Sequence, residues 1–453
     1  MVTDPVQRIR ATEHATSLAL DLADTLDRLA NVPPSTEAPY LTVTLDWRPE
    51  GSEPGRIPAP EPKRSERRSR AADESTPRRP SWETMRRELD EAIAERGPRG
   101  AAFDSLTADL ERIGRYLDDD LDPAAQGVVI VACDAQDVFE PVALTVAVTS
   151  GFTVGPIPSL LELIHAGHDY PPYAVLLADQ RDAFLWIMER QTWARGVQLE
   201  ADSYPRKTQQ GGWSQRRYQN RADERVEAFA RTIADETRRE LTAGDAQVPY
   251  LILAADEVMS SALDAAFHET VKQRLLGLVR LSIDASMDDI AAAAEPLVEQ
   301  QERQHEQDAV QAVSDGVGAG GRGVAGPDDT LTALETGQVM TLVLNDDFDA
   351  PAWADFTFPV YGAGDLPTEH PAAGDIANIV PIPLTDIAIR LAIQSGADVE
   401  LVATAVPLDE EARIPEADQS TPRSKAARAL DAMGGIGAVL RFALDDGQPT
   451  ADR

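Results

Sequence analysis

The stretch AVLLADQRDAFLWIM, residues Ala174–Met188, decides the fold. Two apolar runs, Ala174–Asp179 and Ala183–Met188, flank a polar turn of Gln180, Arg181 and Asp182. That is the pattern of a β-hairpin. Further on, Asn220 or Asp223 is expected to start a helix with Val226, Phe229, Ala230, Ile233 and Leu241 on one apolar face. Val248–Ala255 (VPYLILAA) reads as a buried strand, Val258–Phe267 as a helix and Leu275–Ile283 as another strand. Strands alternating with helices argue a layered α/β domain.

The flanking regions repeat the alternation. Val6–Ala30 has helical apolar spacing (Ile9, Leu18, Leu20, Leu22, Leu26, Leu29), and Tyr40–Trp47 alternates like a strand. Glu50–Ser81 is rich in Pro, Arg, Ser and Glu and is too polar to bury a core. It is expected to be a mobile insertion, and its basic cluster is a secondary candidate for RNA contact. Helices are expected at Trp82–Arg96 and Phe103–Leu117, a buried strand at Gly127–Cys133, more strands to about Val154, and a closing element at Ile157–Ala166. Tyr170-Pro171-Pro172-Tyr173 reads as a boundary. The third region opens with a long polar helix, Met287 to about Val313, then a glycine-rich loop, Gly316–Gly326. It continues with a helix at Asp329–Thr336 stopped by Gly337, a strand at Val339–Leu344, a helix at Leu384–Ser395 stopped by Gly396, a strand at Val399–Ala405 and a last element at Gly434–Phe442. The expectation is a multidomain α/β (α+β) protein divided at 1–170, 171–285 and 286–453.

Charge narrows the function. The 453-residue chain carries 77 acids against 42 bases, a formal net charge of -35. That disfavours non-specific contact with nucleic acid, so DNA is not an expected partner and any RNA contact must be local. The single cysteine, Cys133, excludes an intramolecular disulfide framework and fits a reducing compartment. With no signal-peptide pattern and no apolar run of spanning length, the expectation is a soluble cytoplasmic protein with no membrane partner.

Against that acidity, Tyr204–Arg221 (YPRKTQQGGWSQRRYQNR) holds five bases, Arg206, Lys207, Arg216, Arg217 and Arg221, and no acid. Gly211 and Gly212 let backbone approach another surface closely. Arginine forks suit phosphate, and Trp213 and Tyr218 offer stacking faces for unpaired bases. Two readings stand: a finger that enters an RNA site, or a basic loop that shields an acidic surface. Gln215 can orient a water because it both donates and accepts, which suits hydrolysis of a reactive ester. It could equally make a plain hydrogen bond to RNA. The other constellations are weaker. Gly318, Gly320 and Gly323 match a dinucleotide fingerprint formally, but a long polar helix precedes them, so a hinge loop is expected and no cofactor. The six histidines are scattered, with only His165 and His168 near each other, and no metal site is expected. Asp118–Asp120 reads as a solvated helix end.

Three segments, in order, resemble the archaeal and eukaryotic class-1 peptide-chain release factors and their bacterial relatives. They are TQQGGWSQRRYQNRADERVEAFA (Thr208–Ala230), PDDTLTALETGQVMTLVL (Pro327–Leu344), and LTDIAIRLAIQSGADVELV (Leu384–Val402) with GGIGAVLRF (Gly434–Phe442). The resemblance implies an RNase H-like central domain whose loop reaches the ribosomal peptidyl-transferase centre. It implies a C-terminal α/β sandwich like the kink-turn-binding ribosomal proteins. Gly211 and Gly212 match the family's two glycines, with Gln215 as the nearest catalytic glutamine, displaced by Trp213-Ser214. Arg206, Lys207, Trp213, Ser214, Arg216, Arg217, Tyr218 and Arg221 are then RNA contacts. No Asn-Ile-Lys-Ser loop stands in the first region, so stop-codon decoding is not expected. The branches that fit are the ribosome-rescue peptidyl-tRNA hydrolases related to the eukaryotic quality-control factor with ankyrin repeats, and the Balon-type hibernation factors. The implied partners are the ribosome (its peptidyl-transferase rRNA), peptidyl-tRNA and a translational GTPase. Codon-independent ester hydrolysis is the first reading and a non-catalytic hibernation plug the alternative. An RNA-binding protein unrelated to the ribosome is a third.

Overall fold

The structure, a computed structural model, describes residues 6–10, 22–48, 79–97, 100–123, 125–168, 171–189, 192–201, 215–242, 248–317, 321–406 and 423–442. Its contacts divide it into two compact units, one of residues 1–19, 55–59 and 170–302, the other of 20–54, 60–169 and 303–453. The insertion read at Glu50–Ser81 lies outside the described residues up to 78.

The helix expected over Val6–Ala30 is instead a strand, β1 (Val6–Arg10), and a helix, α1 (Leu22–Ala30). Val6 and Ile9 are three apart, a helical spacing. Yet β1 pairs antiparallel with residues Arg195–Leu199, and that long-range pairing overrides local spacing.

The larger unit begins with a four-stranded antiparallel sheet. Its strands are β2 (Tyr40–Asp46), β3 (Gly127–Cys133), β4 (Val138–Leu144) and β5 (Gly151–Gly155), in the order β4-β3-β2-β5. Helices α2 (Arg79–Arg96) and α3 (Ala101–Asp119) cover one face, where Leu89, Leu106, Leu110 and Ile113 meet Val43, Leu45, Val128 and Ile130. Every residue of β3 is buried, which is why GVVIVAC is a continuous apolar run rather than an alternating one. Asp118–Asp120 are exposed at the end of α3, as expected. Helix α4 (Leu161–His168) closes this region.

The other unit is built on a six-stranded mixed sheet. It comprises β6 (Tyr173–Ala178), β7 (Asp182–Glu189), β8 (Thr192–Glu200), α5 (Gln215–Leu241), β9 (Tyr250–Ala255), α6 (Glu257–Ala266), α7 (Glu269–Lys272) and β10 (Leu275–Leu278). The strand order is β1-β8-β7-β6-β9-β10. The β1–β8, β8–β7 and β7–β6 pairs are antiparallel, whereas β9 runs parallel to β6 and β10 parallel to β9. This three-antiparallel, two-parallel layout of β6–β10 is the one expected of an RNase H-like domain. Both faces are covered. Ala174, Leu176 and Ala178 meet Phe229, Ala230 and Ile233 of α5 on one side. Val175 and Leu177 meet Ile290, Ala291 and Ala294 of helix α8 (Met287–Gly316) on the other. Period-two alternation with two buried faces makes Ala174–Ala178 apolar throughout. At Gly196 in β8 a Cβ would stand 2.6 Å from the Trp186 ring, so only glycine fits.

The chain returns to the larger unit through β11 (Gly323–Ala325), α9 (Pro327–Glu335) and β12 (Val339–Asn345). Then come β13 (Pro351–Asp355), β14 (Val360–Ala363), β15 (Val380–Pro383), α10 (Leu384–Gln394), β16 (Asp398–Val402), α11 (Lys425–Asp431) and β17 (Ile436–Leu440). Strands β11-β17-β12-β16 make one sheet and β14-β13-β15 a second, small one that the sequence reading did not anticipate. The helix stops are as expected: Gly337 and Gly396 follow α9 and α10 with φ of 67° and 66°. The run read as a hinge is packed where it is described. A Cβ on Gly323 would lie 2.6 Å from the Val313 carbonyl oxygen at the end of α8.

Candidate RNA interface

The basic segment Tyr204–Arg221 is rooted between β8 and α5. Arg206, Lys207, Gly211, Gly212, Trp213 and Ser214 lie outside the described residues. Gln215, Arg216, Arg217, Tyr218 and Arg221 are in the first two turns of α5. This corrects the expected helix start at Asn220 or Asp223. Ser214, immediately before the helix, is of a residue type that favours the N-cap, and this signal was overlooked.

The correction changes the chemistry. The first turn of a helix leaves backbone N–H groups without intrahelical partners and carries the positive end of the helix dipole. Here that turn contains no acid and begins Gln215-Arg216-Arg217. Such an end is suited to an anion such as phosphate. Two bases one turn apart, Arg217 and Arg221, extend the positive character along the helix.

The scaffold beneath the segment is firmly held. Among the described residues the core face of α5 begins at Val226 and runs through Phe229, Ala230, Ile233 and Leu241. At the far end Arg274 Nη1 donates to the carbonyl oxygens of Leu241, at 2.8 Å, and Val248, at 3.1 Å. A cation there also complements the negative end of the dipole. Arg239 pairs with the buried Glu236 at 2.7 Å.

The root of the segment is acidic. Asp179 Oδ1 accepts from the backbone N–H groups of Arg181 (2.7 Å) and Asp182 (2.8 Å), shaping the hairpin turn. The Ala201 N–H donates to the Arg181 carbonyl at 2.8 Å and ties the end of β8 to that turn. Partial burial and the nearby charges of Asp179 and Glu200 raise the Asp182 carboxyl above its ordinary range. Gln180 Nε2 donates to Asp256 Oδ2 at 3.3 Å, and Asp256 Oδ1 caps α6 through the Met259 N–H at 2.7 Å. The basic segment therefore leaves the sheet from an acidic edge. Among the described residues no group of His, Cys, Asp and Glu could hold a metal ion, and no helix is long and apolar enough to cross a membrane.

No curated protein matches the sequence. Several solved structures align over much of the chain. An archaeal translation termination factor, aRF1, shares 16% identity over 94% of this chain and 98% of its own, at a TM-score of 0.23. Pelota of Archaeoglobus fulgidus shares 14% over 70% and 79%, at 0.29. S. cerevisiae Dom34, a translation termination-like factor, shares 12% over 70% and 81%, at 0.35. The family comparison is more specific. Residues 158–306, which hold α4, β6–β10 and the basic segment, match the model of bacterial archaeo-eukaryotic release factor family 10. The likeness to release factors is thus centred on the sheet that carries the basic segment.

Proposed function

We propose that this chain is a ribosome-associated translation factor that brings its Gly211-Gly212-Trp213-Ser214-Gln215 segment to the peptidyl-transferase centre and hydrolyses the peptidyl-tRNA ester without reading a codon. The observation that supports this reading is the family match across the central unit, together with an acid-free helix start at Gln215. In the proposed step, the Gln215 amide orients a water against the ester carbonyl. A C–O bond to the water forms, the bond to the ribose oxygen breaks, and one proton of the water passes to that leaving oxygen, which becomes the ribose hydroxyl. Backbone N–H groups and arginines near the helix start would favour the negative charge that develops on the carbonyl oxygen. The partners in this reading are rRNA, peptidyl-tRNA and a translational GTPase, with the division into 1–170, 171–285 and 286–453 as functional regions.

A second reading is a plug that occupies idle ribosomes without chemistry. It is favoured by one feature: Trp213-Ser214 stands between the glycine pair and Gln215 and displaces the glutamine. Ribosomes carrying labelled peptidyl-tRNA separate the two. Release of label on adding the protein supports hydrolysis; saturable binding with no release supports the plug. Neither binding nor release would leave both readings without foundation.

A further inference from the structure

Helix α10 carries polar side chains at every fourth position: Asp386, Arg390 and Gln394. Four-residue spacing puts all three on one face of the helix. A polar stripe of this kind normally faces water. Here Asp386 and Arg390 are 9% and 8% exposed, whereas Gln394, at the end of the stripe, is exposed.

Each of the three reaches out of the C-terminal region to the N-terminal one within the same compact unit. Gln394 Nε2 donates to the Ala30 carbonyl at 2.8 Å. Arg390 Nη2 donates to the Val32 carbonyl at 2.7 Å. Ala30 is the last residue of α1, where helix carbonyls lack intrahelical partners and the dipole favours a cation, and Val32 is two residues beyond it. Asp386 is hydrogen-bonded to the Ser159 side chain, just before α4. Ser159 is itself held to β2, its N–H donating to Thr42 Oγ1 at 3.2 Å. Asp386 and Arg390, though four apart, make these separate bonds rather than an ion pair with each other. Around the stripe, Ile157 joins the apolar cluster of Leu331, Ile382, Leu384 and Ile387.

We propose that Asp386, Arg390 and Gln394 form a latch that fastens the N-terminal sheet layer to the C-terminal layer, so that the two behave as one cooperative body. The latch is all-or-none for a physical reason. Once the buried Asp386 or Arg390 loses its partner it must be rehydrated or left unpaired, so half-open arrangements are disfavoured. The buried Arg390 Nη1 lacks a hydrogen-bond partner among the described residues, a cost of the closed state that the Nη2 bond to Val32 helps to offset. Two of the three partners are backbone carbonyls at and just after the end of α1, so the latch depends on the fold of that helix more than on its side chains.

The test follows unfolding of each layer separately in the full chain. Hydrogen–deuterium exchange across a urea series is read on peptides from β2–β3 and from β12–β16. The wild type is expected to lose protection in both sets at one urea midpoint. The double variant Arg390→Ala/Gln394→Ala is expected to split them into two midpoints. Arg423→Ala, which breaks the bonds to Asp347 and Asp431 inside the C-terminal layer, is expected to lower the midpoint without splitting it. If the double variant does not fold, Gln394→Ala alone serves, with a smaller separation expected. Two wild-type midpoints, or coincident midpoints in every latch variant that folds, would overturn the proposal.

Discussion

Ile233 is the residue by which α5 is most directly seated on the central sheet. It is fully buried at 0% exposure, in one cluster with Leu176, Leu185, Leu251 and Leu263. Truncation to alanine removes three carbons. At about 0.8 kcal/mol per buried methylene the transfer loss is roughly 2.4 kcal/mol. Packing restricts collapse, so a cavity penalty adds to this, and a total of about 3–4 kcal/mol is expected. Each 1.4 kcal/mol is a factor of ten, so amide protection in β6 and β9 should fall on the order of 10²-fold. Hydrogen exchange on peptides covering those strands is the assay, because it reports this unit apart from the other. Since α5 holds the basic segment, RNA affinity should fall with it at temperatures near the midpoint. A change in protection of less than about fivefold, equivalent to roughly 1 kcal/mol, would refute the packing described for this helix.

Other outcomes are expected. Replacing Arg216 and Arg217 with glutamine should weaken ribosome binding and flatten its dependence on salt, since each lost phosphate contact removes counterion release; an unchanged slope would remove this segment from the RNA contact. If the protein is instead a plug, Trp213→Ala should weaken binding more than Gln215→Ala does, because stacking on a base is worth about 1–3 kcal/mol against about 1 for a neutral hydrogen bond; titration of labelled ribosomes decides. Burial, aided by the charge of Asp134, pushes the Asp109 carboxyl up to about 7 against the Asp134 N–H bond and Arg112. A carboxyl whose folded pKa is raised favours the folded state at low pH and loses that contribution as pH rises through the folded value. The larger unit should therefore lose stability as pH rises from the ordinary carboxylate value, 3.8, to about 7, and Asp109→Asn should flatten the loss in denaturation curves.

Residues buried on both faces were the most legible. Gly127–Cys133 and Ala174–Asp179 are apolar runs, and both form strands within a residue of the expected limits. Glycine stops at Gly337 and Gly396 were legible because only a left-handed backbone serves there. Elements created by distant partners were not. Strand β8 (TWARGVQLE) mixes Arg195 and Gly196 with Val197 and Leu199, and its glycine makes sense only beside Trp186. Strand β15 (VPIP) carries two prolines, tolerated because it is at the edge of its small sheet. At the candidate interface the basic composition was plain in the sequence. That Arg216, Arg217 and Arg221 are helical was not, because polar early turns show no apolar period.

The central claim is that Gln215 positions the water that cleaves the ester. It is tested most directly by single-turnover release of labelled peptide from ribosomes saturated with wild type or with Gln215→Ala. An interaction that matters only in the transition state lowers the rate without weakening binding. The account predicts a rate loss on the order of 10²-fold at unchanged affinity. Release by Gln215→Ala at the wild-type rate, or no release by the wild type, would contradict it.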